Sequence, residues 1–125
     1  MLPQRNRVRT STDFTNTVRS GARSGRRNVV LYAVANGGGP TRVGFIVARN
    51  VGNAVTRNLV KRRLREAAAR EISVRPSGLD VVVRALPASA SASWQQLSAD
   101  FGSALETCRK KLAQDDRRQG MVKQQ

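Results

Sequence analysis

Arg49-Asn50-Val51-Gly52-Asn53-Ala54-Val55-Thr56-Arg57-Asn58-Leu59-Val60-Lys61-Arg62-Arg63-Leu64-Arg65-Glu66 is the stretch around which the 125-residue chain is organised. It opens on Gly and Asn and continues in good helix formers. No Pro or Gly occurs from Ala54 to Ser73, which predicts a helix of about five turns over residues 53–72. At about 100° per residue, Arg57, Asn58, Lys61, Arg62 and Arg65 share one side. Leu59, Val60, Leu64 and Ala67 share most of the other. One face can pack on a core while the opposite face presents four cations and an amide. Glu66 and Glu71 are the only nearby acids. A helix face that merely meets solvent usually mixes signs; this one does not, and it reads as a binding face.

The rest of the chain supports that reading. The length suits one domain with a single modest core. Formal net charge is +15, from 23 Lys and Arg against 8 Asp and Glu. The imbalance is concentrated in residues 1–75, which hold 16 basic and 3 acidic residues. A field of this kind repels itself and attracts a polyanion. Arg far outnumbers Lys, and its planar fork suits phosphates and base edges. A membrane surface is the competing polyanion. The longest apolar run, Val29 to Ala35, is far too short to span a bilayer. No secretory signal follows Met1, and the basic helix has no Trp or Phe on its apolar side, as an interfacial helix would. Nucleic acid is therefore preferred to lipid.

The composition also excludes chemistry. Cys108 is alone and His is absent. Disulfides within the chain, zinc fingers, His general bases and Ser-His or Cys-His nucleophiles are all ruled out. The acids are scattered, with no carboxylate dyad and no metal-binding D-x-D. Neither catalytic nor metal-ligating residues are assigned.

In chain order, Arg5, Arg7 and Arg9 lie in a basic arm, residues 1–9, which is either a tail or a nucleic-acid contact. Thr10-Ser11-Thr12-Asp13 starts a helix with a hydroxyl cap and an early acid. Phe14 and Val18 share a face of it, and Gly21 stops it. Gly21 to Asn28 is a basic connection. Val29 to Ala35 is a strand by β-branched content. Asn36-Gly37-Gly38-Gly39-Pro40 reads as a turn, and Thr41 to Ala48 as a second strand. The short connection predicts an antiparallel hairpin. Tyr32, on one strand face with Val30 and Val34, is either core or a platform for stacking a base. Leu79 to Ala85 is a third strand, apolar enough to be central. Pro87 to Ser93 is a linker. A last helix begins at Ser93, where Ser93 and Gln96 suit a capping box. Its apolar stripe is Trp94, Leu97, Phe101, Leu105, Cys108 and Leu112. Residues 115–125 form a polar tail after a domain spanning 1–114. Helix, strand, strand, long helix, strand, helix is an α+β order, one sheet covered by helices.

The central stretch resembles the signature of the bacterial ribonuclease P protein subunit, G-N-A-V-x-R-N-x-x-K-R-x-x-R-E. The likeness extends from Arg5-Asn6-Arg7-Val8 through Asp13-Phe14, Leu31-Tyr32 and Arg42-Val43-Gly44 to Gly78-Leu79-Asp80. It implies an α-β-β-β-α-β-α order, similar to domain 2 of ribosomal protein S5 and to a domain of elongation factor G. The extra strand would fall near Gly21–Gly25. It also implies a mixed sheet with a left-handed β-α-β crossover, against the general rule.

The resemblance implies a function as well. The protein would bind a catalytic RNA, and together they would remove the 5′ leader of precursor tRNA. The RNA would carry the hydrolysis with Mg²⁺ bound mainly by RNA and substrate. The setting would be cytoplasmic, with no membrane and no obligate protein partner. Matched by position, Arg49, Asn53, Arg57, Asn58, Lys61, Arg62 and Arg65 would contact the catalytic RNA. Phe14, Val18, Tyr32 and Arg84 would bind the leader in a cleft between the first helix and the sheet. Four positions depart from the pattern. Leu59 replaces a common Arg, and Val18 and Val29 stand where many members have Phe. Leu86 replaces an Arg, for which Arg84, two residues earlier on the same strand face, can substitute. Other readings on the same residues are a ribosomal or assembly protein, and a DNA-binding module with the long helix in the major groove.

Overall fold

A computed structural model describes residues 2–123, with side chains through Asp115. The elements are α1 (Ser11–Ser20), β1 (Ala22–Gly25), β2 (Val29–Pro40), β3 (Arg42–Ile46), α2 (Ala54–Val74), β4 (Ser77–Ala85) and α3 (Trp94–Lys123), with short 3-10 turns at Gln4–Asn6, Arg49–Val51 and Pro87–Ser91. This is the α-β-β-β-α-β-α order in an α+β domain. No described helix is long and apolar enough to cross a membrane.

The sheet order is β1-β2-β4-β3. β1 and β4 each pair antiparallel with β2, and β3 pairs parallel with β4. The sheet is therefore mixed, and β3-α2-β4 is a crossover between neighbouring parallel strands. The antiparallel hairpin expected from the short connection does not form. β4 inserts between β2 and β3, because its buried Leu79, Val81, Val82 and Val83 fill the centre of the sheet on both faces. Asn36–Pro40, expected as a turn, continues β2 with a register shift between Ala35 and Pro40. Gly37 and Gly38 carry positive φ there, a conformation that side chains with a Cβ resist.

Alternation divides the sheet into two faces. Val29, Leu31, Ala33, Val43, Val81 and Val83 point into the main core. There they meet Val60, Leu64, Ala67 and Ala68 of α2 and Leu97, Phe101, Ala104, Leu105 and Cys108 of α3. The predicted stripe of α3 is thus the core stripe, with Trp94 and Leu112 at its half-buried ends. The capping box is present: Gln96 N donates to Ser93 Oγ at 3.1 Å, and Ser93 N donates to Gln96 Oε1 at 2.8 Å. α3 runs on through residues 115–123, where a tail was expected; residues 124 and 125 lie outside the described residues.

α1 covers the opposite face, where Val30 and Val82 of the sheet and Thr17 of the helix itself are buried. Thr10 caps the helix through its Oγ1, which accepts from Asp13 N at 3.1 Å. The basic arm is packed, not a tail. Leu2, Asn6 and Val8 are buried. Asn6 Nδ2 donates to Thr41 O at 2.8 Å, and Val8 N donates to Val43 O at 3.2 Å along the outer edge of β3. The expected linker at Pro87–Ser93 holds a 3-10 turn whose Ser89 is fully buried.

One ion pair fastens α1 to the sheet. Arg42 Nε donates to Asp80 Oδ1 at 2.9 Å, Arg42 Nη1 reaches Asp13 Oδ2 at 3.3 Å, and Asn36 Nδ2 donates to Asp80 Oδ1 at 3.2 Å. Burial alone pushes the Asp80 carboxyl up, but the hydrogen bonds from Arg42 and Asn36 and the Arg42 charge outweigh it and hold the carboxyl below its ordinary value. A carboxyl depressed in the folded state contributes stability above its unfolded pKa and loses it as pH falls through the folded value. Asp80→Asn is expected to lower unfolding free energy by about 1–3 kcal/mol at neutral pH and to remove part of the loss seen on acidification. Urea unfolding from neutral pH into the range below ordinary carboxylate values measures both. An unchanged pH profile would show that this carboxylate is not what acid titrates.

Candidate nucleic-acid interface

The entry to α2 is built for a sharp change of direction. Gly52 has φ +156° and ψ −167°, a region open essentially to glycine alone. Asn53 follows as N-cap, its Oδ1 accepting from Thr56 N at 2.9 Å. Half of this amide is therefore committed to the helix, and its Nδ2 is the part left to meet a ligand. With Val60, Leu64, Ala67 and Ala68 turned to the core, Asn58 and Arg62 are exposed and Arg57, Lys61 and Arg65 are half-buried at the helix flank. Arg49 is exposed in the preceding 3-10 turn. All seven residues assigned to the catalytic-RNA face lie along this helix and its entry.

Several basic residues elsewhere are held by the protein itself. Arg26 donates to Ser24, Gly25, Ser103 and Thr107 and straps the β1–β2 turn to α3. Arg63 donates to Ala92 O at 2.8 Å, Lys111 to Arg23 O at 2.6 Å, and Arg70 lies over the Trp94 ring at 5.9 Å. Arg42 is held by Asp80 and Asp13. By contrast, among the described residues Arg57, Lys61, Arg62 and Arg65 make no ion pair, and Arg57 Nε is buried with no hydrogen-bond partner. A buried donor without a partner is costly.

Two shallow grooves lie beside α1, and the first of them adjoins the α2 face. The first, about 180 Å³, crosses the outer edge of β3 and is lined by Arg7, Val8, Phe14, Val43, Gly44, Phe45, Lys61 and Arg65. The second, about 280 Å³, runs between α1 and β3 and is lined by Phe14, Thr15, Val18, Arg19 and Ile46. Phe14 belongs to both. Phe14 and Val18 thus share a groove, as expected of a cleft beside α1. Arg84 is exposed on β4 in register with Ile46 of that groove. Tyr32 is half-buried and lines neither groove. It lies in one cross-sheet row with Val82 and Gly44, two strand spacings, roughly 10 Å, from the backbone beneath Phe14.

Arg19, Phe45 and Ile46 belong to these grooves without having been singled out from the sequence, and Arg7 and Gly44 were not assigned to a groove. The period of two on β3 places Gly44 and Ile46 on one face, but which face α1 covers is not visible in a strand's own pattern. No group of three or more His, Cys, Asp or Glu side chains that could hold a metal ion occurs among the described residues.

A small α+β domain with a partner-free cationic helix face and a groove walled by an aromatic ring is an RNA-binding protein in its architecture and charge. Residues 2–109 match the sequence model of the family described as Ribonuclease P, and the chain belongs to that family. It is 64% identical over 113 residues to the ribonuclease P protein component of Arthrobacter sp. (strain FB24), covering 90% of this chain and 83% of that one. It is 57% identical to the component of Kocuria rhizophila, covering 90% of this chain and all of that one. Among solved structures it resembles the RNase P protein of Thermotoga maritima, with TM-score 0.70 and 26% identity over 85% of this chain and 97% of that one. A Staphylococcus aureus RNase P protein mutant with defective mRNA degradation activity gives TM-score 0.73 and 26% identity over 83% and 88%. The chain is accordingly a protein subunit of the RNA–protein enzyme that processes tRNA, with an RNA partner.

Proposed function

We propose that the chain serves ribonuclease P through two surfaces. Arg49, Asn53, Arg57, Asn58, Lys61, Arg62 and Arg65 clamp the catalytic RNA. Phe14 and Val18, with Arg84 and Tyr32 at the flanks, take the single-stranded leader of precursor tRNA. The observation that carries this reading is the row of partner-free cations on α2, which reaches the Phe14 groove through Lys61 and Arg65. A clamp of this kind screens phosphates and releases counterions, contributing affinity without chemistry. The aromatic ring stacks on any base, which suits leaders of differing sequence.

Among the described residues no three acids gather into a group that could hold Mg²⁺. In this reading Mg²⁺ is held by the RNA and the substrate, and the hydrolysis belongs to the RNA, while no side chain here acts as catalyst. The holoenzyme works in the cytoplasm and needs no further protein. Residues 1–114 supply both surfaces, and the end of α3 supplies neither.

The test is reconstitution of precursor-tRNA cleavage by a bacterial catalytic RNA across Mg²⁺ concentrations, with and without the protein. The protein is expected to lower the Mg²⁺ needed and to favour precursor over mature tRNA. Cleavage indifferent to the protein at low Mg²⁺ and moderate salt would overturn the proposal.

A further inference from the structure

Gly44 sits in the middle of β3, paired with Val82 of β4. Its φ is not positive, so the backbone does not require glycine there. Glycine inside a strand weakens it and marks a close approach by another group. The group is the Phe14 ring. A Cβ placed on Gly44 would lie 2.5 Å from both Phe14 Cε1 and Cζ and 3.1 Å from Val8 Cβ. The ring therefore rests against the bare backbone of β3, at a spot no side chain could occupy without moving it. Phe14 is also the one residue common to the two grooves, with Arg7, Lys61 and Arg65 in one and Val18, Arg19 and Ile46 in the other. The ring's position decides how a strand of nucleic acid passes from one groove to the next.

We infer that Gly44 is a positioning residue for substrate discrimination: it seats the Phe14 ring at the junction of the two grooves, where a leader base stacks. The inference rests on the leader reading of Phe14 above. The groups in the way of an added methyl are the far end of the Phe14 side chain and one Val8 carbon, not backbone. A methyl at Gly44 is thus expected to displace the ring while leaving the sheet in place.

The experiment is a double-mutant cycle in the reconstituted holoenzyme, using Phe14→Ala, Gly44→Ala and the pair. The readouts are affinity for precursor against mature tRNA and affinity for the catalytic RNA. Phe14→Ala is expected to reduce the preference for precursor by on the order of 10-fold, the loss of one stacked base. Gly44→Ala is expected to lose most of the same preference, the pair no more than Phe14→Ala alone, and catalytic-RNA affinity is expected to stay unchanged throughout. A structural fault would instead lower both affinities, and additive losses would show that Gly44 acts by some route other than the ring; either result overturns the inference. Full discrimination in Gly44→Ala beside a defective Phe14→Ala overturns the inference and leaves the leader reading standing. No defect in Phe14→Ala overturns the leader reading and the inference with it. If Gly44→Ala fails to fold, the pair becomes the variant read: removing the ring is expected to restore folding, and continued failure to fold overturns the inference. In the free protein, proton NMR is expected to show Gly44 α-proton resonances shifted upfield by the ring and released in Phe14→Ala. Resonances indifferent to that substitution would place the ring elsewhere.

Discussion

Reversing Arg57 and Arg65 to Glu together is expected to weaken binding of the catalytic RNA by on the order of 100-fold or more at moderate salt. Hydrogen bonds to charged groups contribute about 1.5–3 kcal/mol each, and two lost contacts approach or exceed that factor even before the new carboxylates repel phosphate. Each phosphate neutralised also adds about 0.7–0.9 to the slope of log affinity against log salt. The double variant is therefore expected to flatten the slope by roughly 1.4–1.8. The fold should not respond, because neither residue makes an ion pair among the described residues and the packed side of α2 is untouched. Binding titrations across a salt series, with thermal unfolding of the free protein as control, measure all three quantities. A wild-type slope would remove the RNA surface from this helix. Arg57 carries the more informative half of the experiment, since its buried Nε has no partner within the protein.

Replacing Phe14 and Tyr32 with Ala should have the complementary outcome. Stacking of a base on an aromatic ring is worth about 1–3 kcal/mol, so the preference for precursor over mature tRNA is expected to fall on the order of 10-fold or more, with catalytic-RNA affinity retained. The two rings are not equivalent. Phe14 lines both grooves, whereas Tyr32 lies two strands from β3 and lines neither. The single Phe14→Ala variant should account for most of the loss, and Tyr32→Ala for a smaller share. Affinities for matched precursor and mature tRNAs, measured with saturating protein, resolve the shares. If the charge-reversal pair and the aromatic pair changed both measurements equally, the division into an RNA-clamping surface and a leader surface would collapse.

Much of the scaffold for these surfaces is legible in local chemistry. The α2 face follows from the spacing of its cations and of Val60, Leu64 and Ala67. The core stripe of α3 follows from Leu97, Phe101, Leu105 and Cys108, all buried in the fold. Leu79–Val83 announces a central strand, and a central strand it is. β1 is invisible to such reasoning, since Ala-Arg-Ser-Gly has no apolar alternation and the strand pairs on one side only. Only the family resemblance pointed to a strand there.

Other features escape because they are choices between distant segments. A short connection between Ala35 and Thr41 suggests a hairpin, yet strand pairing follows the burial available to each strand. β4, arriving after α2, buries both of its faces by entering between β2 and β3. Likewise Arg26 and Arg57 are both arginines in a basic chain. That one is bound to Ser24, Ser103 and Thr107 while the other keeps a buried nitrogen without a partner depends on residues up to 81 positions away in sequence.

By itself, then, the sequence determined the class of partner, the helix that meets it and the absence of any histidine chemistry, because charge, periodicity and residue type are local properties. Tertiary structure alone decided which cations remain free, that the basic arm is packed along β3, and that Phe14 rests on Gly44 at the meeting of two grooves. Those are matters of distance between segments far apart in the chain, and they are settled when α1 and α2 close around the edge of one sheet.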